Sequence, residues 1–145
     1  MAELVREIVI AAAPETIWPF LTDPAKHVLW NGTIADIDPR PGGRYHVLMA
    51  GQSPAVGEYV EVVPNERIVF TFGWDKVDNP IRPGSTTVEI TLHPEGDKTR
   101  VRLVHRGLPE DAIRDHGQGW GHYLGRLATA ATGGDAGPDI PLTNE

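Results

Sequence analysis

Apolar positions change period along this chain, and the change divides it into strand-like and helix-like stretches. Leu4 to Ala12 is rich in β-branched residues, with Leu4, Ile8 and Ile10 set against Val5 and Val9, and predicts a strand. Pro14 then stands where a first helical residue is favoured, Glu15 suits a helix N-terminus, and Ile17, Phe20 and Leu21 form an apolar stripe. Pro19 interrupts this short helix and should bend it. Asp23-Pro24 predicts a cap and a second short helix running to about Trp30.

From Thr33 onward the period is that of strands. Thr33–Ile37 is short, Arg40-Pro41-Gly42-Gly43 is a turn, and Arg44–Ala50 precedes a loop at Gly51–Pro54. Gly57–Val63 and Arg67–Trp74 flank a compact connection at Pro64-Asn65-Glu66. The segment Lys76–Gly84 should be a loop. Ser85–His93 and Thr99–Arg106 predict a hairpin in which Thr86, Val88, Ile90, Leu92, Val101, Leu103 and His105 occupy one buried face.

The last periodic stretch is helical and spans residues 109–131. At 100° per residue, Ile113, His116, Trp120, Tyr123, Leu124, Leu127 and Ala131 share one arc, while Arg114, Asp115, Gln118, His122 and Arg126 fall opposite. Gly117, Gly119, Gly121 and Gly125 interrupt it. Each costs a helix interior about 1 kcal/mol relative to Ala, so close packing or space beside an aromatic is expected at Gly117 and Gly119, which border the apolar arc. A curved antiparallel sheet needs its inner face covered, and this helix is the element long enough to do it. No core-forming pattern follows Ala131. The expected organisation is one domain over residues 1–132 and a flexible tail over 133–145.

Composition narrows the chemistry. The chain has 145 residues, a formal net charge of −7 and no cysteine. Thiol catalysis and thiolate metal sites are excluded, and nucleic acid is disfavoured as a partner. No apolar run approaches membrane-spanning length and the N-terminus is charged, so a cytoplasmic protein without membrane insertion is expected, as a monomer or weak dimer. There is no phosphate loop and no Gly-x-Ser-x-Gly elbow. His116 and His122 point to opposite helix faces, so neither a metal nor a cofactor is expected.

The order of motifs resembles the START-like, or helix-grip (SRPBCC), superfamily, and within it the activator of heat-shock protein 90 ATPase homologue-like family. The matching residues are Ala13-Pro14-Glu15-Thr16-Ile17-Trp18, Leu21-Thr22-Asp23-Pro24, Trp30, Arg40-Pro41-Gly42-Gly43, Gly57-Glu58-Tyr59 and Pro64-Asn65-Glu66-Arg67-Ile68-Val69-Phe70-Thr71. Further matches are Gly84-Ser85-Thr86-Thr87-Val88, Thr99-Arg100-Val101, His105-Arg106-Gly107-Leu108-Pro109 and His116-Gly117-Gln118-Gly119-Trp120. The resemblance implies an α+β helix-grip fold: a curved antiparallel sheet of about six to seven strands around a long C-terminal helix, with two short helices after the first strand. It also implies a cavity between sheet and helix. Relatives bind apolar molecules, some are cyclases, and the eukaryotic namesake is a co-chaperone.

Candidate site residues follow from the inward positions. Trp30, Tyr45, Met49, Phe72, Trp74, Trp120, Tyr123 and Leu124 should wall a cavity for an apolar or aromatic small molecule, with His105 and His116 facing it. Phe72 and Trp74 are the outer members of an aromatic row that begins at Phe70, and Arg44, His46 or His105 would supply a polar anchor. Glu58 could face inward as a buried carboxylate or outward into solvent. The leading reading is a binding protein. The alternatives are a cyclase- or hydrolase-like enzyme with His105 or His116 as acid or base, and an interaction module acting on a chaperone.

Overall fold

The structure, a computed structural model, describes residues 2–49 and 53–139. Its elements in chain order are β1 (Ala2–Ile10), α1 (Pro14–Thr22), α2 (Pro24–His27), β2 (Ile34–Ile37), β3 (Arg44–Leu48), β4 (Pro54–Val63), β5 (Arg67–Phe72), β6 (Thr86–Glu95), β7 (Lys98–Leu108), a 3-10 turn (Glu110–Ala112) and α3 (Ile113–Ala131). The fold is α+β, with two short helices after β1 and a long C-terminal helix packed on the sheet, as the sequence implies. The seven strands form one antiparallel sheet in the order β1-β7-β6-β5-β4-β3-β2.

Local chemistry explains the boundaries. Pro14 opens α1 in the first helical turn, and Asp23 caps α2 by accepting a hydrogen bond from the Ala25 amide at 3.0 Å. The helix expected to reach Trp30 ends at His27. The chain then continues in turns, in which the Asn31 amide donates to the His27 carbonyl at 2.9 Å. β4 begins at Pro54, inside the expected loop whose Gly51 and Gln52 lie outside the described residues. β5 stops at Phe72, and Trp74 makes only an isolated bridge to Ala55. β6 and β7 both run further into their connecting turn than expected, and β7 also continues to Leu108. Gly107 sits at φ +85° near the end of β7, a left-handed conformation that turns the chain toward α3.

The inner face of the sheet carries Tyr45 and Val47 from β3, Tyr59 from β4, Phe70 and Phe72 from β5, Val88 and Ile90 from β6, and Val101 and Leu103 from β7. Glu58 is exposed, and Tyr59 is the inward residue of its pair. The outer face carries a line of charges: Glu3 with Arg106, Arg106 with Glu89, Glu89 with Arg67 and Arg67 with Glu61.

One expectation about α3 needs correction. Arg126, placed on the solvent side by periodicity, is buried at 9% exposure. Its Nε donates to the Trp30 carbonyl at 2.9 Å, Nη1 to Ala136 O at 2.9 Å and Nη2 to Gly137 O at 3.0 Å. In the segment after α3, Ala136 and Gly137 thus bond to the helix, and Asp139 bonds to the body of the fold. That carboxylate is buried, accepts from the Gly32 amide at 2.9 Å and from the Tyr123 hydroxyl at 3.1 Å. The polar anchors carry no apolar period, which is why a hydrophobic pattern does not reveal them. Residues 140–145 of the expected tail lie outside the described residues.

The glycines of α3 also divide differently. A Cβ at Gly117 would meet the Arg6 guanidinium and, at 3.2 Å, Leu4, so this glycine lets α3 close on β1. The Gly117 carbonyl accepts from Arg6 Nε at 3.2 Å. Around Gly119, Gly121 and Gly125 a Cβ would meet nothing within 4 Å. Of the two alternatives expected at Gly119, close packing is therefore absent, and the position borders open space.

Candidate functional site

Side chains from the sheet, α1, α2 and α3 meet in the core between the sheet and α3. Among the described residues it holds a cavity of about 10 Å³, the room of one water-sized group. Three aromatic residues expected from the sequence line it: Trp30, Tyr45 and Trp120. Around them stand Leu21 of α1, His27 of α2, Asn31 of the following turn, Tyr59 of β4, Ile68 and Phe70 of β5, and Ile90 of β6. Phe70, read as the inner member of its row, lines the cavity, while Phe72 and Trp74 do not.

Asn31 and Tyr45 mark the polar end of this cavity. Both are buried, at 0% and 1% exposure. Nδ2 and Oδ1 of Asn31 and the hydroxyl of Tyr45 are buried without a hydrogen-bond partner; among the described residues the one other such side-chain atom is Nε2 of His122, which does not line the cavity. An unpartnered buried polar group costs about 1–3 kcal/mol. The backbone beside Asn31 is well held. His27 Nδ1–H donates to Asn31 O at 3.1 Å, Trp30 Nε1–H donates to Phe20 O at 2.7 Å, and Arg126 and Asp139 grip Trp30 and Gly32 on either side. Tyr45 stacks on Phe70 with ring centroids 4.1 Å apart and meets Tyr59 edge-on at 5.9 Å.

The cavity is uncharged at neutral pH. Burial lowers His27 to about 4, against the opposing pull of its bond to Asn31 O. Burial, and then the neighbouring Tyr59 and Tyr123, push Tyr45 well above the ordinary phenol value.

His105 and His116 lie in a second cluster, with Phe72, Trp74 and Trp120. Their rings meet edge-on at 5.7 Å. Trp120 Nε1–H donates to His105 Nδ1 at 3.1 Å, and His105 Nε2–H reaches the Thr86 hydroxyl at 2.8 Å, which itself donates to Phe72 O at 2.6 Å. Trp74 Nε1–H donates to His116 Nε2 at 3.1 Å, and His116 Nδ1–H donates to Ala112 O at 3.0 Å. All four ring nitrogens are engaged, and each indole donor fixes the tautomer of its histidine. Burial, then the proximity of His116, lowers His105 to about 3, and burial lowers His116.

The remaining expected positions are scattered. Met49 and Leu124 are buried core residues, and Tyr123 turns its hydroxyl to Asp139. Arg44 and His46, expected as polar anchors, face the other side of the sheet. There they line an open groove of about 370 Å³ with Glu58 and Thr71, and Arg44 pairs with Asp36 at 2.8 Å. Leu21, His27, Asn31, Tyr59, Ile68, Phe70 and Ile90 are cavity residues that the sequence did not single out. For Tyr59 and Phe70 the strand alternation carried a signal; for Asn31 none existed. Among the described residues no group of three or more His, Asp or Glu is placed to hold a metal ion, and no helix is long and apolar enough to cross a membrane.

Comparison with known proteins agrees with this architecture. The profile of the family described as Activator of Hsp90 ATPase homolog 1-like protein matches residues 11–132. The solution structure of an AHSA1-like protein from Rhizobium etli is 42% identical over 99% of this chain and 90% of that one, with a TM-score of 0.75. A crystal structure of a Chromobacterium violaceum protein is 27% identical over 89% of this chain and 96% of its own, with a TM-score of 0.73. The Aha1 dimer from Colwellia psychrerythraea shares the fold at 22% identity, covering 92% of this chain and 98% of that one, with a TM-score of 0.76. No curated protein matches the chain significantly. With the helix-grip architecture and a family profile matched over most of its length, the chain belongs to the AHSA1-like family of the SRPBCC superfamily.

Proposed function

We propose that this protein binds a small apolar or aromatic molecule between the sheet and α3. The observation that carries the reading is the convergence of three partnerless polar atoms, from Asn31 and Tyr45, on a cavity walled by aromatic rings. A core built for stability alone pairs such atoms or replaces them with apolar ones. A few directed polar groups in an apolar enclosure are the usual make-up of a ligand site. The free volume admits one small group, so a larger ligand enters by displacing α3 or the turn at residues 28–33. The glycines of α3 that pack against nothing suit that motion.

An acid–base role for His105 or His116 gains no support, since every ring nitrogen of the pair is already bonded within the protein. The family description names an activator of the Hsp90 ATPase, but a chaperone-docking surface would need a contiguous apolar patch. Among the described residues the exposed large hydrophobics are Val9, Leu29, Ile34, Leu48, Val60 and Val77, of which Ile34 and Leu48 face each other across β2 and β3. On the binding reading the protein acts in the cytoplasm, as a monomer or weak dimer.

Native mass spectrometry of freshly purified protein, followed by titration with a diverse panel of apolar compounds, tests the proposal. The indole N–H signals of Trp30 and Trp120 should shift with a binding compound. A broad panel that moves neither signal, together with no co-purifying molecule, rejects the reading.

A further inference from the structure

The polar end of the cavity carries more information than its volume. Asn31 offers one donor-bearing nitrogen and one acceptor oxygen, and Tyr45 a hydroxyl that can act either way; all three are buried and unpartnered. They do not owe this to disorder. The Asn31 backbone is anchored through both its amide and its carbonyl to His27, and its neighbours Trp30 and Gly32 are bonded to Arg126 and Asp139. Tyr45 is fixed by stacking on Phe70 and by edge contacts with His27 and Tyr59. The donor and acceptor are thus held in place before any ligand arrives, which lowers the entropy lost on binding.

Charge restricts the ligand further. Among the described residues no Asp, Glu, Lys or Arg lines the cavity. An ionised head would lose its hydration and find no opposite charge. Resting on the binding function above, we propose that Asn31 and Tyr45 recognise a neutral head group carrying both a hydrogen-bond donor and an acceptor, of the carboxamide or lactam type, on an otherwise apolar aromatic body, and that they reject the corresponding carboxylate. A planar amide matches the donor and acceptor of the Asn31 carboxamide edge to edge and leaves a lone pair for the Tyr45 hydroxyl. The space present takes one water-sized group, so both the amide head and its aromatic body enter the region between Trp30, Trp120 and Phe70 only once the helix or the turn at residues 28–33 yields.

Three naphthalenes of one shape test this: 2-naphthamide, 2-naphthoate and 2-ethylnaphthalene, titrated at pH 7.5 by isothermal calorimetry and by the indole signals of Trp30 and Trp120. The amide should bind about tenfold or more tighter than either of the others, because a site built around paired hydrogen bonds rejects analogues that lack them. Asn31→Leu should abolish that preference while 2-ethylnaphthalene binds as well as before or better. Tyr45→Phe keeps the ring packing and should reduce the preference several-fold, which guards against a folding defect in the first variant. Equal binding of the amide and the hydrocarbon, or a preference that survives Asn31→Leu, overturns the head-group assignment and leaves the binding function standing. Tighter binding of the naphthoate overturns it as well. Failure of all three to bind, with the indole signals unmoved, counts against the binding function itself and removes the basis of this assignment.

Discussion

Trp120 on α3 donates its indole N–H to Nδ1 of His105 on β7 at 3.1 Å, in a buried contact that joins the helix to the floor of the sheet. The bond requires His105 to be neutral, because an imidazolium has no acceptor nitrogen. Folding therefore excludes a proton that the unfolded chain would bind below the ordinary histidine value of about 6.5. With the folded group lowered to about 3, stability is full above pH 6.5, declines as the pH falls below it, and reaches its floor below about 3. Between pH 7 and pH 5 the loss from this one group should be about 2 kcal/mol. His27, lowered to about 4 by burial, adds in the same direction. Urea unfolding at several pH values measures the proton linkage. In His105→Gln the slope of stability against pH in this window should fall by about one proton, and an unchanged slope would refute the assignment.

The glycines of α3 give a sharper contrast. Gly119, Gly121 and Gly125 face open space, so replacement by Ala should gain helix propensity without a clash, raising stability by up to about 1 kcal/mol each. Gly117→Ala gains the same propensity but pushes on Arg6 and Leu4, and should be neutral or destabilising. Thermal unfolding of the four variants separates the two classes. If softness in α3 serves ligand entry, the triple variant at the open positions should melt higher and take up ligand more slowly, which stopped-flow indole fluorescence would record.

On the outer face, Glu89 is the joint of the charge line. Its side chain is 10% exposed and lies between Arg67 and Arg106, from the flanking strands β5 and β7. Exposed single ion pairs contribute little, but a largely buried carboxylate shared by two guanidinium groups is a different case. Glu89→Gln should lower stability by about 1–3 kcal/mol, whereas Glu95→Gln, whose ion pair is with the exposed Arg100, should change it far less. Equal effects in chemical denaturation would show that the two positions are alike.

The sequence made the architecture legible because the sheet and α3 are built from apolar periodicity. Val88, Ile90, Val101 and Leu103 alternate cleanly, and Trp120, Leu124 and Leu127 recur at helical spacing, so strands, lid and inner face could be read directly. The candidate cavity was legible at Tyr45 and Trp120, which share that signal, and at Trp30, which stood only in the order of motifs. Asn31 lies in a turn, where neither helical nor strand period applies, and its importance comes from what it fails to bond. Phe72 and Trp74 looked like outer cavity walls, but the partner that claims Trp74 is His116, on a different element and 42 residues away. Arg126 breaks the pattern outright, because carbonyl groups from the distant turn at Trp30 and from the segment after α3 supply the hydrogen bonds that let its guanidinium be buried.

That guanidinium gives the last testable consequence. Arg126 binds carbonyl oxygens on both sides of it, from Trp30 before β2 and from Ala136 and Gly137 after α3, and so closes residues 133–139 over the end of the grip. Arg126→Leu keeps apolar bulk on the helix but leaves those carbonyls without their donors and the Asp139 segment without its neighbouring strap. Loss of stability by about 2–3 kcal/mol is expected from the buried groups left unpaired. Tyr123→Phe removes only the hydroxyl contact with Asp139, whose carboxylate keeps its bond to the Gly32 amide, and should cost about 1 kcal/mol or less. Limited proteolysis distinguishes a local strap from a general loss of packing. In Arg126→Leu, cleavage within residues 133–139 should speed up well before cleavage within α3, whereas simultaneous acceleration at both would show that Arg126 supports the whole core rather than the closing segment.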